Sequence, residues 1–161
     1  MRLYPAVSIV TLGVADVAAA TRFYLGLGWR LSAGASNGSI SFFSLNNIVL
    51  ALFGSAELLA DSGLSDTSAG HGDHLAQPDS DNQVLPGQAR MVLAQNYPSQ
   101  TAVRLAMEEA RDAGAKILVE ASSTFWGGYH GVFADPDGHI WELAHNPFFP
   151  LAPDGSVDLP E

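Results

Sequence analysis

A single carboxylate, Glu142, interrupts an otherwise apolar run in the C-terminal part of the chain. It lies in Ile140-Trp141-Glu142-Leu143, whose composition predicts a strand. In a functional interpretation, Glu142 is a general base or a charge that orients a ligand. In the alternative interpretation, the same carboxylate is paired with an arginine or exposed at a strand end. Inward-facing carboxylates on apolar strands are unusual, so both interpretations are kept.

Two of the five histidines, His71 and His74, flank Asp73 in a short polar segment. A His-x-x-His spacing beside a carboxylate can bind zinc. Nothing in the surrounding sequence fixes the geometry of these ligands, because the segment is rich in Gly, Ser, Asp and Gln and has no periodicity. A solvated loop is therefore the favoured interpretation.

The other three histidines lie near predicted strands. His130 is at a predicted strand start and is a candidate pocket residue. His139 directly follows a turn, where a structural role is expected. His145 is three positions after Glu142, so strand alternation places it on the opposite face, and the two are not expected to form a pair.

Aromatic residues are the second group that could bind a ligand. Large rings beside one or two polar groups suit a flat or cationic organic molecule, although any single ring more often fills a core. In Phe125-Trp126-Gly127-Gly128-Tyr129 the glycines permit a tight bend beside a cavity. The sequence thus predicts a partly apolar pocket with Glu142 as its main charge and with lining residues Trp126, Tyr129, Trp141, Phe43, Phe53 and His130.

Composition excludes several classes of protein. The 161 residues are 47% apolar and 15% charged, which fits one folded domain or two small halves that share a core. A net charge of −10 with one lysine argues against a nucleic-acid partner. The absence of cysteine excludes disulfides and Cys-ligated metals. No apolar run is long enough for a membrane span and no signal-peptide core is seen, so a cytoplasmic location is the default expectation.

The first half of the chain predicts the order β-α-β-β-β. A strand over residues 6–12 precedes a helix that begins after Asp16 and stops at Gly26 and Gly28. A short strand over residues 29–33 and a hairpin over residues 39–53 follow.

The second half predicts the same order. It contains a strand over residues 89–95 and a helix that begins at Pro98-Ser99 and ends before Gly114. Strands over residues 116–120, 131–134 and 139–145 follow, the last two joined by the turn Asp135-Pro136-Asp137-Gly138. Matching order and spacing with low identity predict an internal structural repeat.

Two segments lie outside the repeat. Residues 62–88 are polar and aperiodic, typical of a mobile connector, and one helical turn is predicted over residues 56–60. The Pro-rich tail over residues 148–161 contains Phe148 and Phe149. We expect such an apolar tail to dock on the body of the protein or on a second subunit.

The repeat, together with Asp135-Pro136-Asp137-Gly138 followed by Trp141-Glu142, resembles the vicinal oxygen chelate superfamily. This superfamily contains glyoxalase I, bleomycin-resistance proteins and extradiol dioxygenases. The resemblance implies an α+β fold in which two β-α-β-β-β modules enclose a cup-shaped cavity. Module 1 would span about residues 5–54 and module 2 about residues 89–147, within a single domain over residues 1–161.

In the enzymes of this superfamily, His, Gln or Glu residues of both modules bind a divalent metal. The resemblance places the corresponding positions at Ile9, Ala51, Met91 and Glu142, of which only Glu142 can bind a metal. A register error of one or two residues would substitute the weak ligands Ser8, Thr11 or Gln95. No cofactor is therefore predicted, and a divalent metal is disfavoured.

Two functions follow from the resemblance and the retained carboxylate. The favoured one is a homodimeric small-molecule-binding protein of the glyoxalase/bleomycin-resistance type, with a cationic or aromatic organic ligand and no nucleic-acid or membrane partner. The alternative is a lyase, isomerase or dioxygenase-like enzyme that uses Glu142 as a base or metal ligand.

Overall fold

The computed structural model describes residues 6–46, 48–62, 91–157 and 159. Within them, seven strands and three helices form an α+β fold, as predicted. In chain order they are β1 Ile9–Val14, α1 Val17–Gly26, β2 Ile40–Ser44, β3 Val49–Gly54, α2 Ser55–Asp61, β4 Val92–Asn96, α3 Gln100–Asp112, β5 Lys116–Ser123, β6 Tyr129–Ala134 and β7 Ile140–His145. None of the described helices is both long enough and apolar enough to cross a membrane.

The strands form two sheets with matching topology. Sheet A has the order β1-β3-β2 and sheet B the order β4-β7-β6-β5. In each, the first strand of the module runs parallel to the last. Thr11 pairs with Ala51 in sheet A, and Ala94 pairs with Glu142 in sheet B. Ala51 and Glu142 therefore occupy equivalent positions, which confirms the predicted repeat.

One predicted strand is absent from module 1. Residues 29–33 form only an isolated bridge between Leu31 and Phe43, where module 2 has the full strand β5. The chain turns away immediately afterwards, because the carbonyl of Ser32 accepts hydrogen bonds from the amides of Ala35 and Ser36. The prediction of a strand over residues 29–33 is therefore wrong.

The helices begin and end where the sequence predicts. The Asp16 side chain accepts a hydrogen bond from the amide of Ala19 at 2.9 Å, and that of Ser99 accepts one from Ala102 at 3.1 Å. Gly28 and Gly114 follow the helix ends with φ of 77° and 100°. Glycine adopts this left-handed conformation at little cost, so both positions stop a helix.

One hydrophobic core serves both modules. Tyr24 of α1 packs its ring 5.8 Å from that of Phe43 in module 1 and 6.1 Å from that of Trp141 in module 2. The buried members of this core include Leu12, Ala20, Phe23, Leu50, Leu52, Val103, Met107, Ala110, Phe133 and Leu143.

The Asp135–Gly138 turn joins module 2 to module 1. Asp137 accepts a hydrogen bond from the amide of Ala15 at 2.7 Å, and His139 Nε2 donates to the carbonyl of Gly13 at 2.9 Å. The buried carboxylate of Asp135 accepts a hydrogen bond from the Tyr24 hydroxyl at 2.6 Å. His139 is therefore a structural residue, as expected.

The segments outside the modules also make defined contacts. The predicted helical turn is the two-turn helix α2, while His71 and His74 lie outside the described residues. In the tail, the carbonyl of Asp154 accepts a hydrogen bond from the side-chain amide of Asn46 in module 1. The tail therefore contacts module 1 at Asp154, while Phe148 is 64% exposed.

Candidate functional site

Sheet B has one face covered by α3 and one face that α3 does not cover. Gly131 of β6 lies against α3 so closely that a Cβ atom there would be 2.8 Å from Met107 Sδ. Strand alternation then places His130 and Val132 on the opposite side of the sheet. We call this side the open face of sheet B; its central residues are Val92, Ala94, Asn96, Val119, His130, Val132 and Glu142.

Glu142 and His130 meet on the open face. The Nδ1 atom of His130 is 2.6 Å from Oε1 of Glu142, and the two side chains are 28% and 31% exposed. Glu142 pairs with Val132 and His130 pairs with Ala144, so the two are diagonal neighbours on adjacent strands. Each was a separate candidate in the sequence; their contact was not predicted.

The hydrogen bond determines which nitrogen of His130 can accept. A carboxylate can only accept, so Nδ1 carries the hydrogen and donates it to Glu142. In the neutral imidazole, Nε2 is then the unprotonated nitrogen and has a free lone pair. The pair therefore presents a negative charge and a hydrogen-bond acceptor side by side.

The neighbours of this pair on the open face are aliphatic or uncharged. Glu142 is flanked in the sheet by Ala94 and Val132. Val92 and Val119 are 47% and 42% exposed. Lys116 lies on the edge strand β5, opposite Ala134, and none of the ion pairs found among the described residues joins it to Glu142. The carboxylate therefore stands in a largely apolar surface.

Several predicted lining residues lie elsewhere. Trp141 and Phe43 are core residues, 3% and 0% exposed, and the Trp141 indole N–H donates to the Tyr24 hydroxyl at 3.1 Å. Tyr129 lies on the α3 side of sheet B, where its hydroxyl donates to the carbonyl of Ala121 at 2.9 Å. The structure thus places these three rings apart from the face that carries Glu142.

Two further aromatic candidates are half-buried. Phe53 is on the same side of sheet A as Ala51. The ring of Trp126 covers Gly128, where a Cβ atom would overlap it. Gly127, at φ 90°, makes the tight bend that the sequence predicted between β5 and β6.

The positions that would hold a metal are mostly apolar. Ile9 pairs with Val49 and Val92 pairs with Ile140, so Val92 is the residue equivalent to Ile9. The assignment of Met91 to this position is wrong by one residue, because β4 begins at Val92. Neither Ile9 nor Val92 can bind a metal.

The donors that are present do not complete a metal site. Glu142 and His130 supply one oxygen and one nitrogen donor, and no group of three or more His, Asp or Glu residues is found within the described ranges. Gln95 faces the opposite side of β4. There it lines a cavity of about 30 Å³ with Trp29, Tyr97, Glu109 and Leu143, which has room for about one water molecule. The described residues thus do not fit a divalent metal with three or four protein ligands.

Comparison with known proteins places this fold in a family. Residues 6–143 match the Glyoxalase/Bleomycin resistance protein/Dioxygenase superfamily. A glyoxalase-related enzyme from Fulvimarina pelagi is 37% identical, with 97% of this chain and 99% of that chain covered and a TM-score of 0.77. No functionally curated protein matches the sequence.

More distant structures share the fold. A glyoxalase/bleomycin resistance protein/dioxygenase from Nocardioides is 20% identical, covering 90% of this chain and 85% of that chain, with a TM-score of 0.66. A lactoylglutathione lyase from Agrobacterium tumefaciens is 17% identical, covering 90% of this chain and 96% of that chain, with a TM-score of 0.59. The match over residues 6–143 and the repeated modules show that the chain belongs to the glyoxalase/bleomycin resistance protein/dioxygenase superfamily.

Proposed function

We propose that this protein binds a small organic cation on the open face of sheet B and does so without a divalent metal. The observation that carries the proposal is the Glu142–His130 pair, a 2.6 Å hydrogen bond on a face where Glu142 is flanked by Ala94 and Val132. A charge in such a position lacks the hydration of a fully exposed side chain and is not neutralised by a lysine or arginine in the ion pairs described. It therefore favours a ligand of opposite charge.

The bonding of the pair supports recognition of a cation over an anion. Glu142 keeps its negative charge when it accepts the N–H of a neutral imidazole. The net charge of −10 adds an attractive long-range field for cations, which salt screens.

We expect Glu142→Gln to raise the Kd of benzyltrimethylammonium about tenfold, which corresponds to about 1.4 kcal/mol. The affinity of neopentylbenzene, its uncharged carbon analogue, should change less than about twofold, because only the charge interaction is lost. Isothermal titration calorimetry at low salt measures both affinities.

The matched control is Glu108→Gln, which removes one negative charge from the exposed, Arg104-paired side of α3. It should leave both affinities within about twofold of the wild type. Equal weakening of both compounds by Glu142→Gln would mean that Glu142 shapes the site without recognising charge. Binding of neither compound by the wild type would overturn the proposal.

The proposal includes a homodimer. Ile9 of sheet A is 51% exposed, and Val92 and Val119 of sheet B lie exposed on the open face. Apolar strand residues of this kind are usually covered by a partner when they form a contiguous patch. A second copy that covers the edges of the open faces would exclude water around Glu142. Sedimentation equilibrium that gives the mass of one chain at micromolar concentration would contradict the dimer.

The same pair also favours a second candidate, an enzyme that moves a proton. A histidine oriented by a carboxylate is a common general base. If this enzyme needed a metal, elemental analysis of protein purified without chelators should find about one equivalent per chain. The loss of that metal in Glu142→Gln would then support lyase or isomerase chemistry.

We expect instead no stoichiometric zinc, nickel, manganese or iron, because Glu142 and His130 are two donors where a stable site needs three or four. Lactoylglutathione lyase activity should be at background both before and after these metals are added. Metal-dependent activity that Glu142→Gln abolishes would favour the enzyme over the binding protein.

A further inference from the structure

We propose that the cation bound on the open face is a protonated amine with at least one N–H, and that the site selects it against quaternary ammonium ions. This inference rests on the proposed function and specifies its ligand class. It depends on which atoms the Glu142–His130 pair offers and on where the aromatic rings of the chain lie.

Quaternary ammonium ions are usually recognised by aromatic rings, which supply cation–π attraction without hydrogen bonds. The strand positions around Glu142 on the open face carry no aromatic side chain: they are Val92, Ala94, Asn96, Val132, Ile140 and Ala144. Trp141 and Phe133 point to the other side of sheet B, where their rings stack at 6.4 Å in the core. An aromatic cage centred on Glu142 is therefore not available from sheet B.

The pair offers hydrogen-bond acceptors instead. Because Nδ1 of His130 donates to Glu142 at 2.6 Å, Nε2 of the neutral ring is left with a lone pair. No hydrogen bond within the described part of the chain uses Oε2 of Glu142. A protonated amine can donate its N–H to one of these acceptors while its charge faces the carboxylate, and such charge-assisted bonds are strong.

A quaternary ion of the same size gains only the charge interaction. Its methyl groups would also cover the Nε2 lone pair and remove water from it without replacing the hydrogen bond, which disfavours binding. A protonated amine is thus expected to bind more tightly than a quaternary ion of the same size because it has an N–H to donate.

The experiment compares protonated N,N-dimethylbenzylamine with benzyltrimethylammonium by calorimetry at about pH 8, where the amine is charged. Both carry one positive charge and the same ring. We expect the protonated amine to bind at least about tenfold more tightly.

His130→Asn is the diagnostic variant. The asparagine amide can still donate to Glu142 in place of Nδ1, but it has no atom in the place of Nε2. In this variant the preference for the protonated amine should fall from about tenfold to about threefold or less, because only Oε2 of Glu142 is left to accept its N–H, and the affinity for benzyltrimethylammonium should not fall. Glu142→Gln should weaken both ligands, and Glu108→Gln neither. An unchanged thermal unfolding midpoint shows that each variant is folded.

Equal binding of the two ions by the wild type, with no effect of His130→Asn, would overturn this inference and leave the proposed cation site intact. Preference for the quaternary ion would overturn it as well and would indicate an aromatic site elsewhere. Binding of neither ion would overturn the proposed function itself, so the two failures are distinguishable.

Discussion

Replacing Tyr24 with Phe is expected to lower the free energy of unfolding by about 2–3 kcal/mol at neutral pH. The Tyr24 hydroxyl donates to the buried Asp135 carboxylate at 2.6 Å and accepts from the Trp141 indole at 3.1 Å. Without it, one carboxylate oxygen and the indole N–H are left buried without these partners. Because Tyr24 belongs to module 1 and the other two residues to module 2, the loss weakens the junction between the modules.

The size of this loss should depend on pH. Burial raises the pKa of Asp135 above its ordinary 3.8, while the hydrogen bond from Tyr24 and the proximity of His139 act in the opposite direction. A carboxyl group with a raised pKa contributes stability that is present below pH 3.8 and is lost as the pH rises through the pKa of the folded state. Removing the Tyr24 hydroxyl raises the pKa of Asp135 further. The variant therefore loses more stability than the wild type as the pH rises through the pKa of the folded state.

The difference between wild type and Tyr24→Phe should therefore be smaller at about pH 4 than at about pH 7. Urea denaturation at both pH values measures it. Tyr97→Phe is the matched control, because its half-buried hydroxyl donates to the uncharged Gln95 side chain at 3.2 Å. It should cost at most about 1 kcal/mol. An equal loss at both pH values for Tyr24→Phe would show that the hydroxyl does not stabilise the charge of Asp135.

The helices and most strands were predictable because their signals are local. Asp16 and Ser99 cap helices through their own side chains, and Gly28 and Gly114 end them by backbone conformation. Each of these effects acts within one turn of the chain. The strand predicted over residues 29–33 is cut short because the chain already turns at Ser32, before Gly34 and the other turn-forming residues that follow it.

The site was harder to predict because it depends on register. Trp141 and Glu142 are adjacent in one strand and so must face opposite sides of sheet B. This alternation could be predicted from the sequence, and it excludes Trp141 from any pocket around Glu142. The contact of His130 with Glu142 depends in addition on the register of the hairpin, because the turn at residues 135–138 must pair Val132 with Glu142. A shift of one residue in that turn would place His130 on the other face.

Equivalent strand positions of the two modules pack against their helices in different ways. Ser41 and Gly131 are equivalent, because they pair with Leu52 and Leu143 next to Ala51 and Glu142. In module 1 the Ser41 hydroxyl is hydrogen-bonded to that of Thr21 on α1 at 2.8 Å. In module 2 the corresponding helix residue is Met107, at the same spacing before Gly114 as Thr21 is before Gly28. The hydrogen-bonded pair Thr21–Ser41 of module 1 thus corresponds in module 2 to a large side chain, Met107, packed on a glycine, Gly131.

This equivalence predicts strong coupling between Gly131 and Met107. Gly131→Ser alone should cost about 1–3 kcal/mol, since its Cβ would lie 2.8 Å from the sulfur of the buried Met107. Met107→Thr alone should cost about 2–4 kcal/mol by opening a cavity over the glycine.

The double variant, Met107→Thr with Gly131→Ser, transplants the polar pair of module 1 into module 2. It should be more stable than the sum of the two losses predicts by about 1–2 kcal/mol, because the serine fills the space that the methionine leaves and the two hydroxyls can bond. A urea-denaturation cycle of the four proteins measures this coupling. Strict additivity would contradict the equivalence of Ser41–Thr21 with Gly131–Met107. A positive coupling would show that the repeat extends from the order of strands to the contacts between each helix and its sheet, including the strand that carries His130.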